Sequence, residues 1–379
     1  MSGLNGNTSA PVLAIAHRSA PGRELLASAF PAWRSTLRRT VLGAVTEFVQ
    51  TRCAQDLSTA GVDAATDVLT SFVDGGKCVR STFAYLGWLC GADDDLRALR
   101  AAASFELLHA FALLQDDVMD GATLRRGRPA AHVRFAGWHR ERALSGSPER
   151  FGEAAAVLLG DLCLVWAEQM LRESGVAPQA LARVWPRYDA MRTELAVGQF
   201  ADLVNDAAGF PDLEQVLDVL RRKSGNYTVR RPLEIGAAMA GCPAPVLELL
   251  GGYGEAVGEA FQLRDDVLGI FGSPDVTGKP AGSDLSEHKA TSVVVAAYRL
   301  ADTPTRRQLT QLMSTNDLDD ADIRQWRSLI VTTGAVDWVE QLIDSRLARA
   351  LDLIGGGEVD STLRSALADM AAACTERAA

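Results

Sequence analysis

The charged residues of segment 113–128 are spaced like those of an ion-binding site. The segment reads LLQDDVMDGATLRRGR, with three aspartates within five residues and three arginines soon afterwards. On a helix, Asp116 and Asp120 lie one turn apart on the same face, with Asp117 at its margin. Like charges at this spacing destabilise a helix, and acidic groups near its C-terminal end oppose the helix dipole. A bound cation would offset both effects, whereas a solvated helix end is the simpler alternative for this segment alone.

A second acidic cluster strengthens the ion-binding interpretation. Asp265 and Asp266 occur in FQLRDDVLG, and Gln262 precedes Asp265 on the same predicted helical face. Basic residues follow both clusters: Arg125 and Arg126 after the first, Lys279 and Lys289 after the second. Mg²⁺ is commonly held by one or two carboxylates plus substrate phosphates, and Arg and Lys suit the remaining phosphate charge. Together the two clusters predict a metal–diphosphate site.

The elements that must position these clusters are predicted to be helices. Apolar residues recur at three- and four-residue spacing, as in AAAVLLGDLCLVWAEQMLRES, and the strong helix formers Ala and Leu dominate. Gly and Pro cluster in segments that are typical of loops, such as FGSPDVTGKPAGSD. Residues 1–22 are rich in Gly, Ser, Asn and Pro and are expected to be disordered. The prediction is an all-α fold with a single domain at 23–379.

Composition excludes several classes of protein. The 379 residues are 47% hydrophobic, which is enough for a large core, and the net charge of −10 argues against a general nucleic-acid or anionic-membrane binder. Six scattered cysteines without a CxxC pair favour reduced thiols in the cytoplasm. The N-terminus does not read as a signal peptide, and no apolar run reaches the ~18 residues of a membrane span. We therefore expect a soluble cytoplasmic protein without a transmembrane segment.

Five segments, in order, resemble the motifs of one enzyme family. GGKCVRS is similar to GGKRxRP, DDVMD with RRGR to a first aspartate-rich motif, and ELAVGQFADL to a glutamate–GQ–aspartate segment. KSGNYT is similar to a lysine–Thr/Ser pair, and FQLRDDVLGIFGSPDVTGKPAGSDL to a second aspartate-rich motif. The match runs from Gly75 to Ser292. The chain thus resembles trans-isoprenyl diphosphate synthases of the polyprenyl synthetase family, nearest to geranylgeranyl diphosphate synthases. This implies a bundle of long helices around a central active-site cavity.

The resemblance implies a prenyltransferase that uses about three Mg²⁺ ions and acts as a homodimer. An allylic diphosphate would ionise with metal assistance, and isopentenyl diphosphate would attack the resulting cation. The implied metal ligands are Asp116, Asp120 and Asp265, with Asp117 assisting. The allylic diphosphate would be held by Arg125, Lys223, Lys279 and Lys289, and the cation flanked by Ser224 and Gln262. Isopentenyl diphosphate would be bound by Lys77, Arg80, His109 and Arg126.

Other positions in these motifs are interpreted as structural or as departures. The residues interpreted as mainly structural are Glu194, Gly198, Gln199 and Asp202, with Gly198 allowing close helix approach. Cys78 and Ser81 replace the usual Arg and Pro, and Gln115 replaces a frequent histidine. Gly269 stands where a third aspartate is common, which removes one outer carboxylate. From sequence alone, Gly269→Asp is expected to be folded and active.

Product length is predicted from the residues before the first acidic cluster. Phe111 precedes Asp116 by about 7.5 Å along the helix axis, and its ring could form the floor of a tunnel. Ala112 is too small to add a second barrier. An aromatic residue and then a small one, without the two-residue insertion of some short-chain relatives, resembles enzymes that stop at the twenty-carbon geranylgeranyl product. The alternative is that Phe111 simply packs in the core.

Three other functions remain as alternatives. A farnesyl or longer-chain diphosphate synthase would share every motif above. A class I terpene cyclase would need a second metal motif, but Gly209 and Leu213 fill its hydroxyl and carboxylate positions after Asn205 and Asp206. A regulatory, non-catalytic subunit need not keep both acidic clusters and their lysines together. Incubation with isopentenyl diphosphate, allylic primers and Mg²⁺ would separate these readings.

Overall fold

The computed structural model describes residues 20–57, 61, 63–273, 282–315 and 317–376. This part of the chain is almost entirely helical, with one two-stranded hairpin, so the all-α prediction is confirmed. Of the segment predicted to be disordered, residues 1–19 lie outside the described residues. Lys279 also lies outside them, in the stretch 274–281.

The described elements follow one another with short connections. The N-terminal half contains α1 (Arg23–Ser28), α2 (Phe30–Arg52), α3 (Asp63–Val73), α4 (Val79–Leu89), α5 (Leu96–Met119), β1 (Leu124–Arg125), β2 (Arg128–Pro129), α6 (Ala131–Glu141) and α7 (Pro148–Arg172). The C-terminal half contains α8 (Pro178–Ala208), α9 (Leu213–Val219), α10 (Arg231–Ala240), α11 (Ala244–Phe271), α12 (Ser283–Ser286), α13 (Ser292–Leu300), α14 (Thr303–Met313), α15 (Asp320–Thr332), α16 (Ala335–Ile354) and α17 (Ser361–Thr375). Two π-helices complete the series, a short one at Cys53–Leu57 and a long one at Leu220–Arg230.

The long π-helix is held close to two α-helices by glycines. A Cβ on Gly198 of α8 would lie 2.7 Å from the backbone nitrogen of Lys223, so the close helix approach predicted at Gly198 is confirmed. A Cβ on Gly258 of α11 would lie 2.5 Å from the carbonyl oxygen of Gly225. This close packing holds the long π-helix between α8 and α11. π-Helical turns occur frequently at functional sites, so this segment is a candidate part of such a site.

The C-terminal helices support α11 from its other side. Leu263, Val267 and Ile270 of α11 are buried in an apolar cluster that includes Trp326 of α15. Arg264 donates two hydrogen bonds of 2.6 Å to the carboxylate of Glu340 on α16, a bidentate pair that fixes orientation as well as position. The end of α11 that carries Asp265 is therefore fixed on two sides.

Helix α7 is the described helix that is long and apolar enough to cross a membrane by length and composition. In the structure it packs against α5 and α6: a Cβ on Gly160 would lie 3.1 Å from Cγ of Gln115, and one on Gly152 would lie 2.2 Å from the carbonyl oxygen of His132. Core helices of water-soluble proteins meet the same two criteria. This packing accounts for part of the apolar character of α7, whereas Leu158 and Val165 remain exposed.

Candidate active site

The C-terminal parts of α5 and α11 bring both acidic clusters to one cavity. The cavity has a volume of about 420 Å³ and lies beside the long π-helix and α12. Both acidic clusters and four predicted cations line it: Asp116, Asp265, Lys77, Arg125, Lys223 and Lys289. The two acidic clusters, which are far apart in sequence, thus lie in one cavity, as expected for a single metal–diphosphate site.

At the C-terminal end of α5, Asp116 and Asp120 are each paired with a cation from another element. Nζ of Lys223 lies 3.2 Å from Oδ1 of Asp116, and Nη2 of Arg125 lies 3.6 Å from Oδ2 of the same residue. Nζ of Lys289 lies 2.7 Å from Oδ2 of Asp120. The like charges that destabilise this helix end are therefore offset by cations of the protein itself.

These ion pairs keep Asp116 charged and Lys289 protonated. Burial raises the pKa of Asp116, but Lys223 and Lys289 outweigh burial and hold that pKa below its usual value. Burial lowers the pKa of Lys289, but Asp120 and Glu287 more than compensate, so that the pKa is raised well above its usual value. The cavity therefore presents an ionised Asp116 and a fully protonated Lys289 near neutral pH.

Asp117 has a different position from its two neighbours. Its side chain is 0% exposed, and Oδ1 accepts a 2.8 Å hydrogen bond from Nε of Arg125 and a second from Nη2. Arg125 and Arg126 sit on the β1–β2 hairpin, where Arg126 and Gly127 have positive φ values of 52° and 72°, as two-residue hairpin turns require. This geometry makes Asp117 the residue that orients Arg125, and its assistance to a metal ion stays a prediction.

The two acids of the second cluster both line the cavity, but Asp266 also has a structural role. Asp266 is buried, and its Oδ2 accepts hydrogen bonds from the backbone nitrogen (2.9 Å) and Oγ (2.6 Å) of Ser292. Nε2 of Gln262 donates to Oδ1 of Asp266 at 3.0 Å. Asp266 thus ties α11 to the start of α13 and holds Gln262 at the cavity edge.

A larger, mostly apolar cavity opens from the charged one. Its volume is about 1000 Å³, and the residues shared by the two cavities are Asp116, Lys223, Ser224, Gln262 and Asp265. Its walls include the residues predicted to limit product length, Phe111 and Ala112, together with Leu164, Leu195, Phe200 and Phe261. A charged head site joined to an apolar chamber suits an amphiphile with an anionic head and a hydrocarbon chain.

Arg80, His109 and Arg126 form a basic group on one side of these cavities. The guanidinium of Arg80 lies 4.3 Å above the ring of Tyr227 and donates to Oγ1 of Thr228 at 2.9 Å. Burial first, and then Arg80 and Arg126, hold the pKa of His109 well below its usual value, so the imidazole is neutral. His109 and Arg80 line the apolar cavity, whereas Lys77 lines the charged one.

Sequence reasoning missed or undervalued three acids of the charged cavity. Asp202, interpreted as structural, accepts a 2.5 Å hydrogen bond from Nζ of Lys223. Asp206 lines the cavity, and burial followed by repulsion from Asp202 raises its pKa to about 6. Asp284 also lines the cavity, although it lies outside the two acidic clusters. The sequence did hold a signal for these three acids, because each lies in a motif segment or directly beside one.

Glu194 keeps its structural interpretation. Its carboxylate accepts a 3.0 Å hydrogen bond from Nε of Arg231 and a 3.1 Å hydrogen bond from Nδ2 of Asn226. These contacts join α8 to the long π-helix and to α10. Glu194 therefore anchors the segment that presents Lys223.

The donor set fits Mg²⁺ together with a diphosphate. In the described part of the chain, no group of three or more Asp, Glu, His or Cys side chains converges closely enough to hold a metal ion by itself. Mg²⁺ rarely uses such all-protein cages and instead combines one or two carboxylates with substrate phosphates. Oδ1 of Asp116 is buried and lacks a well-directed hydrogen bond, although Nζ of Lys223 is 3.2 Å away. This oxygen is suited to a cation that arrives with the substrate.

Comparison with known proteins agrees with this fold and site. The polyprenyl synthetase family model matches residues 62–330, and the chain belongs to this family. It has the all-α isoprenoid synthase fold and is a trans-prenyltransferase that depends on Mg²⁺.

Solved and characterised relatives cover most of the chain. The crystal structure of geranylgeranyl pyrophosphate synthase from Corynebacterium glutamicum, complexed with isoprenyl diphosphate and magnesium, is 34% identical with a TM-score of 0.86, covering 90% of this chain and 99% of that one. Geranylfarnesyl diphosphate synthase of Aeropyrum pernix is 32% identical over 74% of this chain and 83% of its own length. Geranylgeranyl diphosphate synthase of Mycobacterium tuberculosis is 30% identical over 75% of this chain and 76% of its own length.

The buried position of Asp117 predicts a stability effect that a surface acid does not share. Asp117→Asn should lower the free energy of unfolding by about 3 kcal/mol, because it removes the buried charge that pairs most closely with the half-buried Arg125. Asp218→Asn breaks the exposed pair with Arg222 and should cost less than about 1 kcal/mol. Urea denaturation measures both values, and equal losses would contradict the orienting role of Asp117.

Proposed function

We propose that this prenyltransferase condenses isopentenyl diphosphate with an allylic diphosphate and releases geranylgeranyl diphosphate as its main product. The proposal rests on one observation: the charged cavity and the apolar cavity join where both are lined by Ser224 and Gln262. One cavity supplies cations and acids for a diphosphate, and the other accepts a growing hydrocarbon chain. The reactive carbon of an allylic diphosphate would lie where the two cavities meet.

The residues of the charged cavity bind and orient the allylic diphosphate. Arg125, Lys223 and Lys289 would donate charge-assisted hydrogen bonds to its oxygens, as we also propose for Lys279. Asp116, Asp120 and Asp265, with Asp117 assisting, would hold Mg²⁺, proposed as about three ions, and the metal would neutralise charge that develops on the leaving diphosphate.

The junction of the two cavities protects and guides the reactive carbon. The Ser224 hydroxyl and the Gln262 amide present their dipoles to the allylic cation, and the apolar walls exclude water that would quench it. No covalent nucleophile of the protein is needed.

Isopentenyl diphosphate, the second substrate, is proposed to bind the basic group of Arg80, His109 and Arg126, together with Lys77. Arg80, Arg126 and Lys77 supply charge to isopentenyl diphosphate, while the neutral His109 supplies a hydrogen bond rather than charge. Its double bond then attacks the allylic carbon, and the released diphosphate accepts the proton that is lost. Arg80 and Lys223 both line the apolar cavity, so both diphosphates would reach it.

Two further properties complete the proposal. We propose a homodimer, because α7 and α8 each expose large apolar side chains at helical spacing, including Leu158 (64% exposed) and Phe200 (74% exposed). A cytoplasmic location is proposed from the free cysteines, which are reduced throughout the described residues.

Turnover with isopentenyl diphosphate and an allylic primer tests the function directly. Asp116→Asn should lower turnover by about 100-fold or more with helicity by circular dichroism unchanged, because it removes a metal-binding oxygen at the site of charge development. Asp344→Asn, on the exposed face of α16, should keep wild-type turnover. Near-native turnover of Asp116→Asn in limiting Mg²⁺ would refute the assignment, and a cyclic hydrocarbon product would favour the cyclase alternative.

The lining of the apolar cavity predicts how product length responds to mutation. Phe111→Ala should shift the product from geranylgeranyl diphosphate towards longer chains, because it removes a ring from the cavity wall near the proposed floor. Phe210→Ala removes a ring that stacks on Tyr298 at 4.0 Å and does not line the described cavity, so it should leave product length unchanged. Chromatography of the dephosphorylated products measures both. An unchanged distribution in Phe111→Ala would remove Phe111 from the floor, and a fifteen-carbon main product of the wild type would overturn the length proposal.

A further inference from the structure

The carboxylate of Glu259 on α11 is shared by arginines of two other helices. Its Oε1 accepts a 2.8 Å hydrogen bond from Nε of Arg221 on the long π-helix, and its Oε2 accepts a 2.5 Å hydrogen bond from Nε of Arg346 on α16. Glu259 is buried, so its charge requires partners of this kind. Hydrogen bonds between charged groups are also about twice as strong as neutral ones. One buried carboxylate thus connects three helices.

A second acid of α11 makes a weaker version of the same bridge. Glu255, one turn before Glu259, accepts a 2.9 Å hydrogen bond from Nη1 of Arg230 on the π-helix. Nη2 of Arg349 on α16 is 3.8 Å from Glu255, and the Arg349 side chain is 52% exposed. Exposed ion pairs contribute little because water and salt screen them. The bridge through Glu259 is therefore the stronger link between the π-helix and α16.

This bridge meets the π-helix directly before the residues that line the site. Arg221 is followed two and three positions later by Lys223 and Ser224, which line both the charged and the apolar cavity. The next residue, Gly225, packs so closely on α11 that a Cβ on it would lie 3.0 Å from the carbonyl carbon of Gly258. The segment that presents Lys223 and Ser224 is thus fixed to α11 at both of its ends.

We propose that Glu259 and Arg346 are positioning residues for the binding of the allylic diphosphate. They act through Arg221, which sets the placement of Lys223 and Ser224 where the two cavities join. The inference rests on the proposed function, because it takes Lys223 to bind the allylic substrate. Helix α16 lies beyond the residues 62–330 that the polyprenyl synthetase family model matches, so the bridge gives a role in the reaction to a helix outside the matched region.

The bridge should affect one diphosphate more than the other. The residues proposed for isopentenyl diphosphate come from another part of the fold, Arg80 from α4, His109 from α5 and Arg126 from the β1–β2 hairpin. Arg80 does contact the π-helix, but at Thr228, which follows the close contact at Gly225. Loss of the bridge should therefore displace the allylic subsite and leave the isopentenyl subsite in place.

Steady-state kinetics with each substrate varied in turn tests this inference, with farnesyl diphosphate as the allylic substrate so that one condensation is measured. Arg346→Gln should raise the KM for farnesyl diphosphate by about 10-fold, as expected for the loss of one hydrogen bond between charged groups, and leave the KM for isopentenyl diphosphate unchanged. Arg346→Lys keeps a charged donor and should restore most of the wild-type value. Arg222→Gln is the matched control, because it removes the same charge beside Lys223 but pairs with Asp218 rather than with α11, and it should keep both KM values.

The outcomes separate this inference from the proposed function. An unchanged KM for farnesyl diphosphate in folded Arg346→Gln, or an equal rise in both KM values, would overturn the role of the bridge. If Lys223→Ala still raises the KM for farnesyl diphosphate, the proposed function stands. Wild-type protein that does not condense the two substrates would overturn both.

A double variant decides the question if Arg346→Gln fails to fold. Glu259→Gln/Arg346→Gln removes both charges of the pair, and Arg221 keeps an ion pair with Asp218 at 3.5 Å, so no buried charge is left without a partner. A folded double variant with a selectively raised KM for farnesyl diphosphate supports the inference, and one with wild-type KM values overturns it.

Discussion

The site depends on the pairing of stacked carboxylates at the end of α5 with cations from distant segments. Asp116 faces Lys223 of the long π-helix, and Asp120 faces Lys289 beyond α12. Without these cations, like charges one turn apart would destabilise the helix end and oppose its dipole. Lys223 and Lys289 also hold the pKa of Asp116 below its usual value, so this carboxylate stays ionised in a partly buried cavity. The protein is therefore stable with its acidic site assembled, and the cations are in place to accept a diphosphate.

Backbone packing fixes the distances on which these pairs depend. Gly198 brings α8 against Lys223, and Gly225 packs against Gly258 of α11. On the far side, the Arg264–Glu340 pair and an apolar cluster hold α11 in place. Rigid elements of this kind position a reacting group better than loops do. The apolar cavity begins where these elements converge, so a hydrocarbon chain enters between helices that have already set the position of the diphosphate.

Much of this arrangement could be predicted from the sequence, and the rest required contacts across elements. Helical periodicity and the one-turn spacing of Asp116 and Asp120 identified the fold class and the first acidic face. Spacing alone could not show that Asp117 points into the core, because adjacent acids look equivalent until the helix is packed. Nor could it show that Asp284 fills the space beside Gly269, since that contact crosses the connection between α11 and α12.

Lysines and a metal ion would share the carboxylates of this site, with diphosphate deciding between them. Calorimetric titration of the wild-type protein with Mg²⁺, in the absence and in the presence of inorganic diphosphate, tests this competition most directly. We expect weak Mg²⁺ binding without diphosphate, because Lys223 and Lys289 pair with Asp116 and Asp120. In the presence of diphosphate, Mg²⁺ binding should be about 10-fold tighter or more. Linkage requires Mg²⁺ to strengthen diphosphate binding by the same factor. Equal Mg²⁺ affinity under both conditions would contradict the account.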